Sequence, residues 1–289
     1  MKKLIYLLLF LPILLFSQIK GKVVDENGKS ISFVNICVQD ENIRANSEEN
    51  GTFQINTTPS KNVIFTALGY EKKTVKASDI SLVQLKTIQF DLDEVVIIKK
   101  IDNKQIEIGK TNAAFCQAFD NGPRLDLKFF PYNIKYKKTK FIKQISIYTD
   151  SRIENATIKI HLYEVEKDGF PGKEILKKDL IATVSKGTII NIIDIYDLNL
   201  TMPKNGIFVG FEKLIIERNK IEKITKDLLN NSSRIQYIYY PFTLYNQVER
   251  PFLYSFSGGK WIKKTKNSDI NSTSSITIFE PAINLILSN

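Results

Sequence analysis

A single histidine, His161, stands in this chain of 289 residues. A catalytic zinc site takes three protein ligands, and Ser-His or Cys-His chemistry would have to draw on the same imidazole. No G-x-S-x-G elbow, Walker loop or dinucleotide fingerprint accompanies it. Cysteine is also sparse, with only Cys37 and Cys116. Joined, they would close a loop worth ~4 kcal/mol in the chain-entropy model. One lies in a strand-like run and the other near a junction, however, so two unpaired thiols are expected. Arginine supplies only 6 of the 41 basic residues. That scarcity argues against phosphate recognition, because bidentate phosphate contacts favour arginine over lysine. The net charge of +10 does not restore a nucleic-acid reading, since residues 19–98 carry 9 basic and 11 acidic side chains. Long apolar runs are missing beyond residue 16, so no transmembrane segment is expected in the processed chain.

The first residues, MKKLIYLLLFLPILLFSQ, have their own grammar. Lys2 and Lys3 are basic, Leu4 to Phe16 are continuously apolar, and Ser17 is small. This order predicts a secretory signal over residues 1–18, cleaved to leave Gln18 or Ile19 first. As a membrane anchor the apolar run would reach only ~20 Å as a helix, short of a ~30 Å hydrocarbon core, and Pro12 interrupts it. Export to the periplasm, the outer-membrane surface or the medium is therefore expected.

From Ile19 onward, tyrosine, phenylalanine, isoleucine, valine and threonine are plentiful and alternate with polar residues, which favours strands. Turn signals recur every 8 to 12 residues, among them Asn27-Gly28 and Asn50-Gly51. The pattern predicts an all-β chain of two tandem sandwiches: residues 19–98, a connector over 99–106, and residues 107–289. In the second part, Asp168-Gly169-Phe170-Pro171-Gly172 and Met202 to Gly206 read as turns. Ile221, Ile224 and Leu228 lie at helical spacing, which predicts one short helix over ERNKIEKITKDLLNN.

The order G-K-V-V-D-x-x-G, then N-G-x-F-x-I, then L-G-Y, then L-D-E-V-V-I resembles the carboxypeptidase regulatory-like domain. Gly21, Val23, Asp25, Gly28, Val34, Gly51, Phe53, Gly69, Tyr70, Leu92, Glu94 and Val95 carry the resemblance. It implies a seven-stranded transthyretin-like Greek-key sandwich with a structural or interaction role and no catalytic residues. Such domains often precede TonB-dependent receptors, but the ~190 residues that remain are too few for a receptor barrel. The second part, with I-H-L-Y-E-V-x-x-x-G-x-P-G, then P-x-x-G-I-F-V-G-F-E, then G-x-W, resembles an uncharacterised β-sandwich. That sandwich follows regulatory-like domains in envelope proteins of Gram-negative bacteria, and a larger, jelly-roll-like fold is expected.

The candidate chemistry is thin. His161 and Glu164 have the His-x-x-Glu spacing of a zinc pair, but period two sends them to opposite faces of a strand, leaving His161 on the solvent side with Lys159 and Tyr163. Acids cluster at Asp91, Asp93 and Glu94 and at Asp194 and Asp197, as a glycosidase pair or a calcium site would require, yet turn formation explains them equally well. No catalytic residue, cofactor or metal is expected. Among Tyr237, Tyr239, Tyr240, Tyr245, Phe252, Tyr254, Phe256 and Trp261, the set Trp261, Tyr239 and Tyr254 is the candidate ligand-contacting surface. Core packing competes with stacking on a sugar for these rings. The expectation is a non-catalytic exported envelope protein that contacts other envelope proteins or glycans. The alternatives are a carbohydrate-binding module of outer-membrane glycan uptake and a hydrolase with paired carboxylates.

Overall fold

A computed structural model describes residues 17–88, 100–110, 116–119, 122, 124–227, 232–265 and 276–289. The signal segment to residue 16, the closing LDEVVII strand and the acids Asp91, Asp93 and Glu94 lie outside the described residues.

The chain is all-β. The first seven strands are β1 (Ser17–Val24), β2 (Asn35–Val38), β3 (Arg44–Asn46), β4 (Thr52–Thr57), β5 (Asn62–Thr66), β6 (Lys73–Lys76) and β7 (Leu82–Gln84). They form two sheets, β4-β1-β7 and β3-β2-β5-β6. Strict alternation builds the core: in β4, Phe53 and Ile55 point inward while Thr52, Gln54 and Asn56 face solvent. Val23, Val34, Ile36, Val38, Val63, Phe65 and Leu85 complete the fill. Gly21 is needed for contact, since a Cβ there would lie 2.8 Å from the Phe53 ring. The turn at Asn27-Gly28 forms as expected, with Gly28 at φ 79° and Asp25 Oδ1 accepting the amides of Asn27 and Lys29.

The next strands are β8 (Gln105–Ile108), β9 (Cys116–Phe119), β10 (Leu125–Phe130), β11 (Phe141–Ser151), β12 (Ala156–Val165), β13 (Pro171–Glu174), β14 (Leu180–Val184), β15 (Gly187–Asp194) and β16 (Ile207–Lys213). After them come β17 (Lys220–Asp227), β18 (Ser232–Tyr239), β19 (Phe242–Arg250), β20 (Leu253–Ser257), β21 (Lys260–Lys264), β22 (Ile276–Pro281) and β23 (Ile283–Ser288). Two seven-stranded sheets result: one orders β13-β12-β16-β10-β20-β21 with β14 also on β12, and the other orders β22-β19-β11-β23-β8 with β15 on β11 and β9 on β19. Ile145, Ile147, Ile158, Ile160, Leu162, Ile207, Val209 and Leu285 meet between them. At one end that interior turns polar: Asp126 accepts from Tyr245 at 2.8 Å, and Lys128 pairs with Glu280 at 3.2 Å.

The helix expected over residues 217–231 is not formed. After a single 3-10 turn at Glu217–Asn219, Lys220 begins β17, which pairs in register with β18 as a two-stranded ribbon. Helical spacing of Ile221 and Ile224 loses to cross-strand pairing, in which Ile224 opposes Ile235 and Ile221 opposes Ile238. No other strand among the described residues extends this ribbon.

The two sandwiches meet face to face. The outer surface of β3-β2-β5-β6 rests on the outer surface of β12, β16 and β20, through pairs such as Arg44–Glu212 and Ser257–Asn42. Leu68 of the first sandwich reaches the core of the second.

Candidate functional site

Period two correctly sets Lys159, His161 and Tyr163 on one face of β12, with Ile158, Ile160 and Leu162 on the other. The expectation that this first face meets solvent is wrong. His161 is only 8% exposed, because the first sandwich covers that face. Its Nδ1 lies 2.9 Å from Glu174 Oε1 and its Nε2 lies 2.9 Å from Glu212 Oε2. An ionised carboxylate only accepts, so both ring nitrogens carry hydrogen and the imidazole is a cation. Burial by itself disfavours that charge, but Glu174 and Glu212 outweigh it and hold the His161 pKa at about 9. Glu164, the other half of the zinc-like spacing, is exposed on the opposite side.

Glu212 reaches this point from β16, next to β12 in the sheet. It is 2% exposed and is shared between sandwiches: Asn46 Nδ2 donates to it at 3.2 Å and Arg44 at 3.4 Å. Burial opposes its ionisation, yet the His161 hydrogen bond and the Arg44 guanidinium keep its carboxyl well below the usual carboxylate range. Asn46 also accepts from the Ile215 amide at 2.8 Å, so one side chain ties β3 to two points of the second sandwich.

Lys159 adds a further strap. Its Nζ donates to Asp179 at 2.8 Å and to the Phe33 carbonyl at 2.7 Å. Phe33 is held at φ 55°, a left-handed conformation that costs a side-chain-bearing residue roughly 1–2 kcal/mol. The lysine thus captures a strained carbonyl across the seam. Cys37, on the seam side of β2, is a free thiol whose pKa is pushed up by burial. The side chain of Cys116 lies outside the described residues.

Beside this network opens a cleft of about 380 Å³ with walls from both sandwiches. Asn35, Gly69 and Tyr70 line it from the first; His161, Tyr163, Glu174, Asp179 and Trp261 line it from the second. Trp261 meets Tyr163 edge-on at 5.3 Å and Phe256 at 5.0 Å between ring centroids. The volume and the mix of rings with convergent polar groups suit a small ligand.

The aromatic set singled out from the sequence is split. Trp261 lines the cleft. Tyr254 does not present a surface: its ring is 1% exposed, packed among Phe170, Phe208 and Phe252, which corrects the expectation that it contacts ligand. Tyr239 stands on the separate β17–β18 ribbon, opposite Lys220. Arg44, Asn46, Glu174, Asp179 and Glu212 were not picked out from the sequence. Local pattern carries no trace of them, because each matters only through a residue from 13 to 169 positions away. Of the remaining acids, Asp194 accepts from Gln144 and from the Tyr196 amide, and Asp197 sits in a 3-10 turn. Among the described residues no group of three or more His, Cys, Asp or Glu side chains could hold a metal ion. In the His161 triad the two carboxylates sit on opposite ring nitrogens and cannot converge with it on one ion.

These features define a two-sandwich β protein with a polar seam. Residues 19–97 match the family model of the CarboxypepD_reg-like domain, a transthyretin-like fold of non-catalytic, regulatory type. A search of curated proteins finds no match. Among solved structures, the structure of infectious bursal disease virus Gx strain aligns at 10% identity over 93% of this chain, with a TM-score of 0.23. The chain spans 62% of that viral chain, and a likeness this weak carries no argument.

Proposed function

We propose that this chain is an exported, non-catalytic interaction protein of the cell envelope, whose two sandwiches act as one rigid body. The observation that carries the reading is the commitment of the seam's ionisable groups to one another. His161 uses both nitrogens, Glu212 has three partners and Lys159 has two, so these groups serve cohesion. A general base or nucleophile needs a free lone pair facing a substrate, and an imidazolium held between two carboxylates has none. The basic-apolar-small order of the first 18 residues supports export. Fractionation with mass measurement of the N-terminus tests it. The expected result is a chain beginning at Gln18 or Ile19 in the envelope; an intact N-terminus in the cytosol, or turnover of a defined substrate, overturns it.

A second reading is favoured by Trp261. In the cleft wall this indole stands with Tyr163 near Glu174 and Asp179, the combination of apolar ring and polar rim that holds a sugar. The cleft then binds a glycan without cleaving it. On a glycan array the expected result is a signal lost in Trp261→Ala; silence of the wild-type protein on every glycan ends this reading.

A further inference from the structure

The outer edge of the second sandwich is unguarded at β15. This strand pairs with β11 over eight residues, from Gly187 opposite Ser151 to Asp194 opposite Gln144, without a bulge. Both β23 and β19 lie on the other side of β11, and no strand among the described residues pairs the outer side of β15. Ile189, Asn191 and Ile193 point to the core side, opposite Thr149, Ile147 and Ile145. Ile190 and Ile192 point outward and are 60% and 62% exposed.

A free edge is a template for another strand, and proteins blunt such edges with lysine, proline, bulges or short length. Several other edges here follow that practice, although β4 and β18 carry neither lysine nor proline. Strand β6 carries Lys73 and Lys76, β21 carries Lys260, Lys263 and Lys264, β13 begins at Pro171, and β22 ends at Pro281. Strands β3 and β7 have three residues each, β8 four and β14 five. The run Thr-Ile-Ile-Asn-Ile-Ile between Gly187 and Asp194 has neither charge nor proline.

The charges that flank the run identify what fits it. Lys186 stands just before the strand and Asp194 ends it, and both are exposed. A strand that is positive at its start and negative at its end is complementary to itself when antiparallel. Parallel pairing would set lysine on lysine. We infer that β15 pairs antiparallel with β15 of a second copy of this chain, about a two-fold axis through Ile190, joining two sheets into one. In this register Ile190 meets Ile190, Ile192 meets Thr188, and Lys186 meets Asp194 of the copy. Asp194 already accepts from Gln144 and Tyr196, and a carboxylate has room for a further donor. The interface is isologous, as a two-fold demands.

Sedimentation velocity on the purified protein over a concentration series tests the pairing. The wild type should reach a dimer. Ile190→Lys and, separately, Ile192→Lys should weaken it at least ~10-fold with unchanged circular dichroism and melting, because both side chains are solvent-facing in the single copy. Lys186→Glu should weaken the dimer ~2–5-fold, and adding Asp194→Lys to that variant should recover the loss. A wild type that stays monomeric throughout, including one that pairs through β15 with a different protein, overturns the inference. So does a folded Ile190→Lys variant that dimerises as tightly as the wild type.

Discussion

Ile158, Ile160 and Leu162 on one face of β12 and Lys159 and His161 on the other are all buried, but not by the same means. The apolar face is closed by the second sandwich's own opposing sheet and excludes water as any sandwich core does. The polar face is closed only because another sandwich lies on it, with Glu174, Asp179, Glu212 and Arg44 supplying its partners. The first kind of burial is indifferent to pH and needs only volume; the second needs charge balance, since a buried ion without its partner is costly. A single strand therefore reports on fold stability through one face and on domain cohesion through the other.

Removing Glu212 should break the comparison most severely. Glu212→Ala leaves His161 and Arg44 as buried cations deprived of a shared acceptor, and a loss of ~3–5 kcal/mol is expected, read by denaturant unfolding. Ile160→Ala acts on the apolar face and should cost ~2–4 kcal/mol of the second sandwich's stability while leaving the seam joined. Fluorescence of the lone Trp261, beside the seam, checks the latter by keeping its wild-type emission.

Changing pH sharpens the contrast without mutation. His161 is raised in the folded chain from 6.5 to about 9, so its contribution is complete below pH 6.5 and is lost as pH rises through 9. Its full size is ~3 kcal/mol. Glu212 is depressed below its ordinary 4.5, so its contribution is present above that value and is lost as pH falls below it. Seam cohesion should thus be greatest between about pH 4.5 and 6.5, and melting followed from pH 6 to pH 10 should fall in the wild type. A His161→Gln variant should lose this alkaline slope. The smallest effect is expected at Lys86–Glu71, a pair exposed to water on both sides: Lys86→Ala should change stability by no more than ~0.5 kcal/mol.

Much of the fold was legible in the sequence because strands announce themselves locally. The inward set Val34, Ile36 and Val38 follows from period two, and Asn27-Gly28 fixes a turn through backbone freedom that few residue pairs share. The ribbon of β17 and β18 was misread because Ile221 and Ile224 satisfy a helical spacing and a strand pairing alike, and only the partner strand decides between them. Strand β3 went unseen: Arg-Ala-Asn looks like loop, and while Ala45 packs in its own core, Arg44 and Asn46 find their partner, Glu212, in the other sandwich. His161 was placed on the right face with the wrong neighbours, since alternation tells which side chains share a side and is silent on what covers that side. Trp261 was visible by its position after Ser257-Gly258-Gly259-Lys260, whereas the burial of Tyr254 depends on Phe170 and Phe208 from distant strands and loops.

Calorimetry of the wild-type protein and of Glu212→Ala, side by side at pH 6, tests most directly whether the charged seam makes two sandwiches into one body. The wild type should unfold in one cooperative transition, and the variant should resolve into two, one for each sandwich. Two transitions already present in the wild type, or a variant that melts in a single step at the wild-type midpoint, would contradict it.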